Sequence, residues 1–472
     1  MTGRGADSVS ELPSNWENTT LGEITSNPQY GWTTKSTNQG VLHLLRTTDI
    51  TSGIIQWDNV PYCDKIPDQI SKYIVHDGDI LISRAGSVGF SILVKSPKSA
   101  VFASYLIRFI PYINAKYVSY FLNSPNYWKS ISENKLGIAV PNVNATKLSN
   151  IKFPLPPLPE QHRIVAKIEE LFTRLDAGVA ALTNAKTLLK QYRQAVLKAA
   201  VEGRLTEEWR KEHAGEIEPA SVLLERIQAE RKQRLGKNYK PPKPIDTSNL
   251  LELPEGWAWA RVTSIGEVVT GTTPSKKRPE YYGNDYPFYK PTDLNCGYYV
   301  HKSADSLSVD GIKRARSLPA NTILVTCIGA TIGKTGLIRR AGASNQQINA
   351  ILNESAIIPE YLFFTIISPF FQNGILSKAS STTLPILNKS KFEELPIMIP
   401  STDEQLAIVS EIERMFSIID ESEQIIDAEL QRAQSLRQSI LKRAFAGKLV
   451  PQDPADEPAS VLLERIRKEK KI

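Results

Sequence analysis

The sequence predicts a mixed α/β (α+β) protein, in which two long helices paired as an antiparallel coiled coil join two strand-rich globular modules. Three observations predict this: an internal repeat, short β-branched stretches broken by turn residues, and two long heptad patterns. Residues 154–227 recur recognisably at 396–466, and Glu160-Gln161 returns as Glu404-Gln405. A repeat on this scale indicates two similar halves related by a pseudo-twofold axis.

Each half opens with the pattern Leu-Pro-x-x-Trp, at Leu12–Trp16 and at Leu253–Trp257. Short stretches rich in isoleucine and valine follow, such as Asp79–Ser83 and Thr322–Thr326, separated by Gly, Pro, Asn and Asp. This composition is typical of strands and turns. The letters between the repeated anchors mostly differ, so we expect two modules with one scaffold and different surfaces.

A long helix is predicted after each module, at 159–202 and at 401–446. Leucine and isoleucine recur at spacings of three and four residues, or their sum, which predicts a coiled-coil seam. The predicted seam residues are Ile164, Ile168, Leu171, Leu175, Leu182, Leu189, Ile408, Ile412, Met415, Ile419, Ile426 and Leu436. Gly203 and Gly447 lie just past the predicted ends, where helices often stop. The alternative is that each seam is only core for its own domain.

Ten letters, Glu218–Ile227, recur unchanged at Glu457–Ile466 within amphipathic segments. Each segment either packs on its own module or contacts one of two equivalent partner copies. The resulting division of the chain has six parts: 1–158, 159–202, 203–250, 251–400, 401–446 and 447–472.

The composition suits a polyanion-binding protein, because 57 Lys and Arg stand against 50 Asp and Glu and leave a net charge of +7. Three cysteines, Cys63, Cys296 and Cys327, show no CxxC spacing, so neither a zinc site nor a disulfide framework is expected. With no apolar run long enough for a membrane helix, the expected location is the cytoplasm.

No catalytic, metal or cofactor-binding motif is predicted. Gly329–Thr335 resembles a phosphate-binding loop, but three residues separate its glycines instead of four, and its counterpart Gly86–Gly89 lacks the Lys-Thr. A glycine turn after a strand is the interpretation that we prefer. The five histidines show no metal-ligand spacing.

Basic residues interleaved with aromatic residues and glycine are candidates for phosphate contact and base reading. A solvated surface is the alternative for any single cluster. The predicted DNA-binding residues are Arg46, Lys72, Arg84, Lys95, Lys98, Lys276, Lys277, Arg278, Lys290, Lys313, Arg314, Arg316 and Lys334.

The alternation of variable module and long helix resembles the DNA-specificity (S) subunits of type I restriction-modification enzymes. The resemblance covers nearly the whole chain. It is carried by Leu-Pro-x-x-Trp, by Pro156–Gln161 followed by Ile164-Val165, by Arg193–Leu197 and by Gly203–Arg210. The second half departs at Ser401–Asp403 and lacks the Trp-Arg after Gly447–Leu449.

The resemblance implies that 1–158 and 251–400 are target-recognition domains that each bind half of an asymmetric, two-part DNA target. The helices would fix the spacer, and the helices and duplicated segments would dock two modification subunits. No cofactor is then expected on this chain. S-adenosylmethionine, ATP and Mg would be used by the modification subunits and the restriction subunits. The competing interpretations are a stand-alone DNA methyltransferase or nuclease, and a coiled-coil scaffold that binds proteins.

Overall fold

A computed structural model describes residues 12–134, 142–295, 298–380 and 384–470. Two stretches of the predicted first module, 1–11 and 135–141, therefore lie outside the described residues, as do Cys296 and residues 471–472.

The chain divides into two compact units. Unit 1 comprises Met1–Thr183 together with Asp427–Ile472, and unit 2 comprises Asn184–Ile426. The predicted C-terminal segment 447–472 thus belongs with the first module, and the predicted segment 203–250 belongs with the second. The six-part division remains a prediction in its individual boundaries.

The first module of unit 1 is built from short elements. Its strands are β1 (Glu17–Thr20), β2 (Gln29–Tyr30), β3 (Ser36–Thr37), β4 (His43–Leu45), β5 (Tyr62–Cys63), β6 (Ile80–Ser83), β7 (Ser91–Leu93), β8 (Ala100–Phe102), β9 (Leu106–Phe109) and β10 (Lys152–Leu155). Its helices are α1 (Thr47–Ile50), α2 (Ile70–Tyr73), α3 (Ala115–Phe121), α4 (Pro125–Asn134) and α5 (Ala145–Ser149), with a 3-10 turn at Trp57–Asn59.

The strands of unit 1 form two four-stranded sheets, in the orders β2-β9-β6-β7 and β3-β5-β4-β8, and the pair β1-β10. These strands pair antiparallel except for β4 with β8, and an isolated bridge between Trp32 and Ala103 is also parallel. Ile80 and Ile82 on β6 face one hydrophobic core and Leu81 faces another. The strand is buried on both faces, which explains its continuous apolar run.

The helix α6 (Leu158–Val201) follows and continues across the boundary at residue 183 into unit 2. Unit 2 then contains α7 (Glu207–Glu212), α8 (Ala220–Leu235), β11 (Ala258–Arg261), α9 (Val262–Ile265), β12 (Gly266–Thr270), β13 (Tyr282–Tyr289), β14 (Tyr299–Val300), β15 (Asp305–Leu307), α10 (Val309–Arg314), β16 (Ser317–Leu318), β17 (Ile323–Thr326), β18 (Thr335–Ile338), β19 (Gly342–Ser344), β20 (Ile348–Asn353), α11 (Pro359–Ile367), α12 (Pro369–Lys378), α13 (Lys389–Glu393) and β21 (Pro396–Ile399). The 3-10 turns of unit 2 are Gly236–Asn238, Pro279–Tyr281 and Asp293–Asn295.

Unit 2 repeats most of the sheet plan of unit 1, with several longer strands and with β14 as an additional strand at the edge of its first sheet. Its sheets run β12-β20-β17-β18-β14 and β15-β13-β19-β16, with the pair β11-β21. Ile323 and Val325 on β17 face one core and Leu324 faces another, as on β6. The prediction of two mixed, strand-rich modules on one scaffold is confirmed.

The chain closes with α14 (Thr402–Ala444) and α15 (Ala459–Glu469). In unit 1, Ile164, Ile168 and Phe172 of α6 share a core with Ile440 and Leu441 of α14. In unit 2, the core joins the other ends of the two helices: Val196 and Ala200 lie with Ile408 and Ile412. Early residues of one helix meet late residues of the other in both units. The predicted antiparallel pairing is therefore confirmed.

The predicted seam holds less well at single positions. Ile164, Ile168, Ile408, Ile412, Ile419 and Ile426 are buried. Leu171, Leu175, Leu182, Leu189 and Met415 are half-buried. Leu436 is 50% exposed, and its neighbour Arg437 is the residue that contacts the opposite helix.

The duplicated amphipathic letters form the starts of α8 and α15. Ala220, Leu223 and Ile227 are buried in the core of unit 2. Ala459, Leu462, Leu463 and Ile466 occupy the matching place in unit 1. Of the two interpretations left open by the sequence, the apolar face of each segment packs on its own unit.

Candidate nucleic-acid interface

The two modules share a backbone framework around the glycine turn that follows β6 and β17. In unit 1, the amide of Arg84 donates to the carbonyl of Tyr105 at 2.9 Å, and the amide of Val143 donates to the carbonyl of Arg84 at 3.0 Å. In unit 2, the amide of Cys327 donates to the carbonyl of Gln347 at 2.8 Å. The amide of Leu387 donates to the carbonyl of Cys327, also at 2.8 Å. Arg84 and Cys327 therefore occupy one framework position.

The side chains on this common framework differ in chemistry. Unit 1 carries Arg84 and the 60% exposed Tyr105, whereas unit 2 carries the buried Cys327 and the amide Gln347. The amide of Gly31 donates to the carbonyl of Leu106 at 3.2 Å, and that of Gly271 to Ile348 at 3.0 Å. By this match Tyr30 of unit 1 corresponds to Thr270 of unit 2. The side chains at matching positions therefore differ in charge, size and burial between the two units.

In unit 1, two of the predicted DNA-binding residues lie beside the segment Tyr30–Trp32. The guanidinium carbon of Arg84 lies 5.0 Å from the centre of the Tyr30 ring. Lys72 lies over the ring of Tyr73, which itself packs on Trp32 at 5.4 Å between ring centres. The structure therefore brings Lys72 and Arg84 to one aromatic segment.

In unit 2, the segment Thr272–Thr273, which precedes the predicted basic loop 276–278, contacts the segment Ser344–Gln346. The amide of Thr272 donates to the carbonyl of Ser344 at 2.9 Å, and the Thr273 hydroxyl donates to Gln346 Oε1 at 2.6 Å. Arg316 donates to the carbonyl of Thr270 at 2.9 Å. These contacts place Arg316 and the side chain of Gln346 near the end of β12, where the chain continues to the basic loop.

The remaining predicted DNA-binding residues are placed less favourably. Four of them form ion pairs with carboxylates of their own unit: Arg46 with Asp49, Lys98 with Asp58, Lys290 with Asp305 and Lys313 with Asp310. In the basic loop, Arg278 likewise pairs with Glu280. Lys95 lines a cleft beside α6, and Arg314 is exposed at the end of α10. Lys334 precedes β18. The DNA-binding role of all thirteen stays a prediction.

The loop that resembles a phosphate-binding motif is a β-turn between two antiparallel strands. Gly329 and Gly333 adopt φ of +97° and +86°, and the chain enters β18 instead of a helix. No helix begins at this loop, so it lacks the helix N-terminus that contributes to a phosphate-binding loop.

The described residues offer little for catalysis. Burial raises the pKa of the Cys63 thiol to about 11 and that of Cys327 to about 12, so neither is a thiolate at neutral pH. Over the described ranges no group of His, Cys, Asp and Glu has a geometry suited to a metal ion. In the same residues, no helix is long and apolar enough to cross a bilayer.

The repeated Glu-Gln pair at the start of each long helix is a structural clamp that the sequence pattern marked without explaining. Gln161 donates to the carbonyl of Pro156 at 3.0 Å and accepts from the amide of Asn114 at 3.1 Å. Gln405 donates to Pro400 at 3.2 Å and accepts from Ile358 at 2.9 Å. Each glutamine ties its helix to the module of its own unit.

The glutamates of the two clamps accept hydrogen bonds from the tryptophans of the Leu-Pro-x-x-Trp motifs. Trp16 donates to Glu160 at 3.0 Å, and Trp257 donates to Glu404 at 2.8 Å. This contact explains why both motifs recur together.

The two glutamates differ in their compensation. Besides its tryptophan, Glu404 accepts from Arg210 and from the Thr206 hydroxyl, whereas Glu160 accepts, besides its tryptophan, from the uncharged amide of Gln452 at 2.7 Å. Burial raises the pKa of Glu160. Arg210, which contacts Glu404, belongs to the Trp-Arg pair of the first repeat. The second repeat lacks that pair, which explains why Glu160 has no equivalent cation among the described residues.

A second duplicated device is an arginine that crosses between the long helices. Arg193 lies 4.4 Å from the centre of the Phe416 ring and pairs with Asp420 within unit 2. Arg437 lies 4.2 Å from Phe172 and pairs with Asp176 within unit 1. The repeat of Arg193-Gln194 as Arg437-Gln438 marks these residues in the sequence. A heptad pattern does not identify them, because it considers only apolar residues.

Each unit has an open cleft beside its arginine, where the module meets the long helices. The cleft of unit 1 has a volume of about 880 Å³ and that of unit 2 about 900 Å³. The helix walls match, because Glu169, Phe172 and Asp176 in unit 1 are replaced by Glu413, Phe416 and Asp420 in unit 2. The module walls differ: Ile54, Ile55 and Ser119 in unit 1 correspond to Tyr298, Tyr299 and Phe363 in unit 2.

Comparison with known proteins agrees with this organisation. A family model described as the type I restriction modification DNA specificity domain matches residues 13–184 and 254–432. The EcoBI type I restriction enzyme specificity subunit of Escherichia coli is 27% identical over 451 residues, which span 90% of this chain and 86% of that protein. The EcoDI specificity subunit of the same species is 27% identical over 418 residues, spanning 86% and 88%.

A solved structure from work on complex assembly and conformational transition in the type I R-M system has a similar fold. It superposes with a TM-score of 0.66 at 17% identity, and the match covers 93% of this chain and 99% of that one.

Proposed function

The chain belongs to the type I restriction modification DNA specificity family, and we propose that it is the non-catalytic subunit that selects the DNA target of such a complex. In this proposal each module binds one half of a two-part target. The target is asymmetric, because modules with different side chains bind different sequences.

The observation that carries the proposal is the common turn with unlike side chains. An arginine and a tyrosine in unit 1 stand where unit 2 has a cysteine and a glutamine. Arginine favours guanine and glutamine favours adenine in the major groove. Such a substitution on a constant backbone is the pattern expected of two readers with different half-sites.

The paired helices α6 and α14 fix the number of base pairs between the half-sites in this proposal. Support comes from their antiparallel packing in both units and from the crossing arginines, which hold the helices in a defined register.

The partners that we propose are double-stranded DNA, two modification subunits and the restriction subunits. S-adenosylmethionine, ATP and Mg would act in those partners, in the cytoplasm, and this chain would bind none of them. Two equal copies of one partner require two similar surfaces. The matching helix walls of the clefts and the exposed faces of α8 and α15 are such surfaces.

The test is a map of methylated adenines made by the purified chain together with its modification subunits. We expect an asymmetric, two-part site with a fixed gap, and binding that weakens as salt rises. A single continuous palindrome would contradict the proposal. Methyl transfer by the chain alone from labelled S-adenosylmethionine would instead support a stand-alone methyltransferase.

A further inference from the structure

We propose that Arg84, held over the ring of Tyr30, reads a guanine in the half-site bound by the first module. This inference rests on the proposed function and deepens it, since it assigns one base pair of the target to one side chain.

The backbone of Arg84 is fixed on both sides. Its amide and its carbonyl are both hydrogen-bonded, to Tyr105 and Val143, and the next residue, Ala85, forms a β-bridge with Asn142. The ring of Tyr30 is fixed as well, because its hydroxyl accepts a hydrogen bond from the amide of Ala145 at 3.1 Å. The backbone of Arg84 and the Tyr30 ring that its side chain contacts are therefore both held in place.

The guanidinium group of Arg84 is held beside an aromatic ring and is not paired with a carboxylate of the described residues. It lies 5.0 Å from the Tyr30 ring centre, within the range of a cation–π contact. Its Nε atom is buried and has no hydrogen-bond partner. No ion pair joins Arg84 to any residue of the described ranges, so its Nη donors are available to an acceptor from outside. Among the other predicted cations of unit 1, Arg46 and Lys98 are already paired with carboxylates.

The fold does not need a cation at this position. Cys327 has the same backbone hydrogen bonds in unit 2, and its side chain is only 2% exposed. The arginine is therefore specific to the first module, as a determinant of one half-site should be.

The chemistry of the group selects its ligand. A planar guanidinium donates two parallel hydrogen bonds, and guanine offers two acceptors, N7 and O6, in the major groove. The aromatic face of Tyr30 restricts the rotamers of Arg84, which lowers the entropy lost when the two bonds form.

The experiment compares Arg84→Ala and Arg84→Lys with Lys152→Ala, which removes an exposed charge on β10 of the same unit at a residue outside the predicted DNA-binding set. Each variant is assembled with the modification subunits, and methylated adenines are mapped on a random-sequence DNA library at two salt concentrations. Arg84→Lys keeps the charge and loses the planar fork, so it guards against a folding defect.

We expect both Arg84 variants to lose about 10- to 100-fold of the preference for guanine at one position of one half-site, the discrimination of one bidentate contact. The other half-site and the Lys152→Ala profile should be unchanged. Equal loss on all sequences, with a salt dependence reduced by about one counterion and rescue by lysine, would overturn the inference in favour of a phosphate contact. Unchanged base preference in Arg84→Ala would also overturn it. A wild-type complex without a two-part site would refute the proposed function instead.

Discussion

Two glutamates at equivalent positions show how a duplicated residue can acquire unequal surroundings. Glu404 is buried with Arg210 as a counter-charge, whereas Glu160 is buried without a direct one. A buried carboxylate without a cation disfavours its own ionisation, which is the cause of the raised pKa of Glu160. The clamp of unit 1 therefore becomes less stable when Glu160 is ionised.

Replacing these glutamates should have opposite effects on stability. Because the folded pKa of Glu160 is raised, the folded state holds the proton longer, and the free energy of unfolding falls as pH rises from about 4.5 through the raised pKa. The Glu160→Gln variant has no ionisable group at this position, so its free energy of unfolding should not decrease in this way. Between pH 4.5 and 7.5, unit 1 of the variant should become more stable than that of the wild type, by about 1.4 kcal/mol for each pH unit by which the pKa of Glu160 is raised. Glu404→Gln should destabilise unit 2 by about 3 kcal/mol at pH 7.5, because it leaves the Arg210 guanidinium without its carboxylate partner.

Hydrogen exchange followed by mass spectrometry checks both changes, because it reports on the peptides of each unit separately. Equal loss of protection in the two variants at pH 7.5 would contradict the account of unequal compensation.

At the scale of elements, α8 and α15 each have one face that packs on its own unit and one face that is exposed. The apolar faces are packed, and the opposite faces keep identical letters, with Val222 45% and Val461 40% exposed. Arg226 pairs with Glu218, and Arg465 pairs with Glu457 at the matching place. Identity on an exposed face has no packing explanation, which favours a partner contact.

Substitutions on the two faces should therefore separate folding from assembly. Val222→Glu together with Val461→Glu should leave thermal unfolding unchanged within about 0.5 kcal/mol and weaken capture of modification subunits about tenfold or more. Ile466→Ala, on the packed face, should instead lower the free energy of unfolding by about 2–5 kcal/mol. Titration calorimetry with the modification subunit measures the first effect. Full binding by the double variant would place the docking surface elsewhere, with the clefts as the remaining candidates.

If α6 and α14 fix the number of base pairs between the half-sites, shortening both helices should shorten this gap. Deleting 180–186 from α6 together with 424–430 from α14 removes seven residues, one heptad, from each helix and preserves the seam as well as Asp176 and Asp420. At 1.5 Å per residue this shortens each helix by about 10 Å, so we expect a gap shorter by about three base pairs. A map of methylated adenines should show the new gap and unchanged half-sequences.

A single-helix deletion is the control, because it shifts one seam against the other and should abolish methylation. An unchanged gap in the paired deletion would exclude the helices as the determinant of spacing.

At the scale of the whole molecule, the repeat allowed the sequence to predict the architecture. Periodicity placed α6 and α14 within two residues of their observed ends, since long amphipathic helices have strong signals. It failed at Leu436, because an apolar pattern cannot anticipate that Arg437 packs its guanidinium on Phe172. Similarly, a sequence pattern of basic residues, aromatic residues and glycine cannot distinguish the unpaired Arg84 from the paired Lys98, because the difference depends on their three-dimensional neighbours.

The assignment of Asp427–Ile472 to unit 1 has a consequence for the order of events during synthesis. Tyr117 and Phe121 pack against Phe445 at 5.2 and 5.4 Å between ring centres. These rings leave the ribosome more than three hundred residues before their partner. Unit 2, a continuous stretch, has all of its residues available earlier. The half that begins first is thus the half that is completed last.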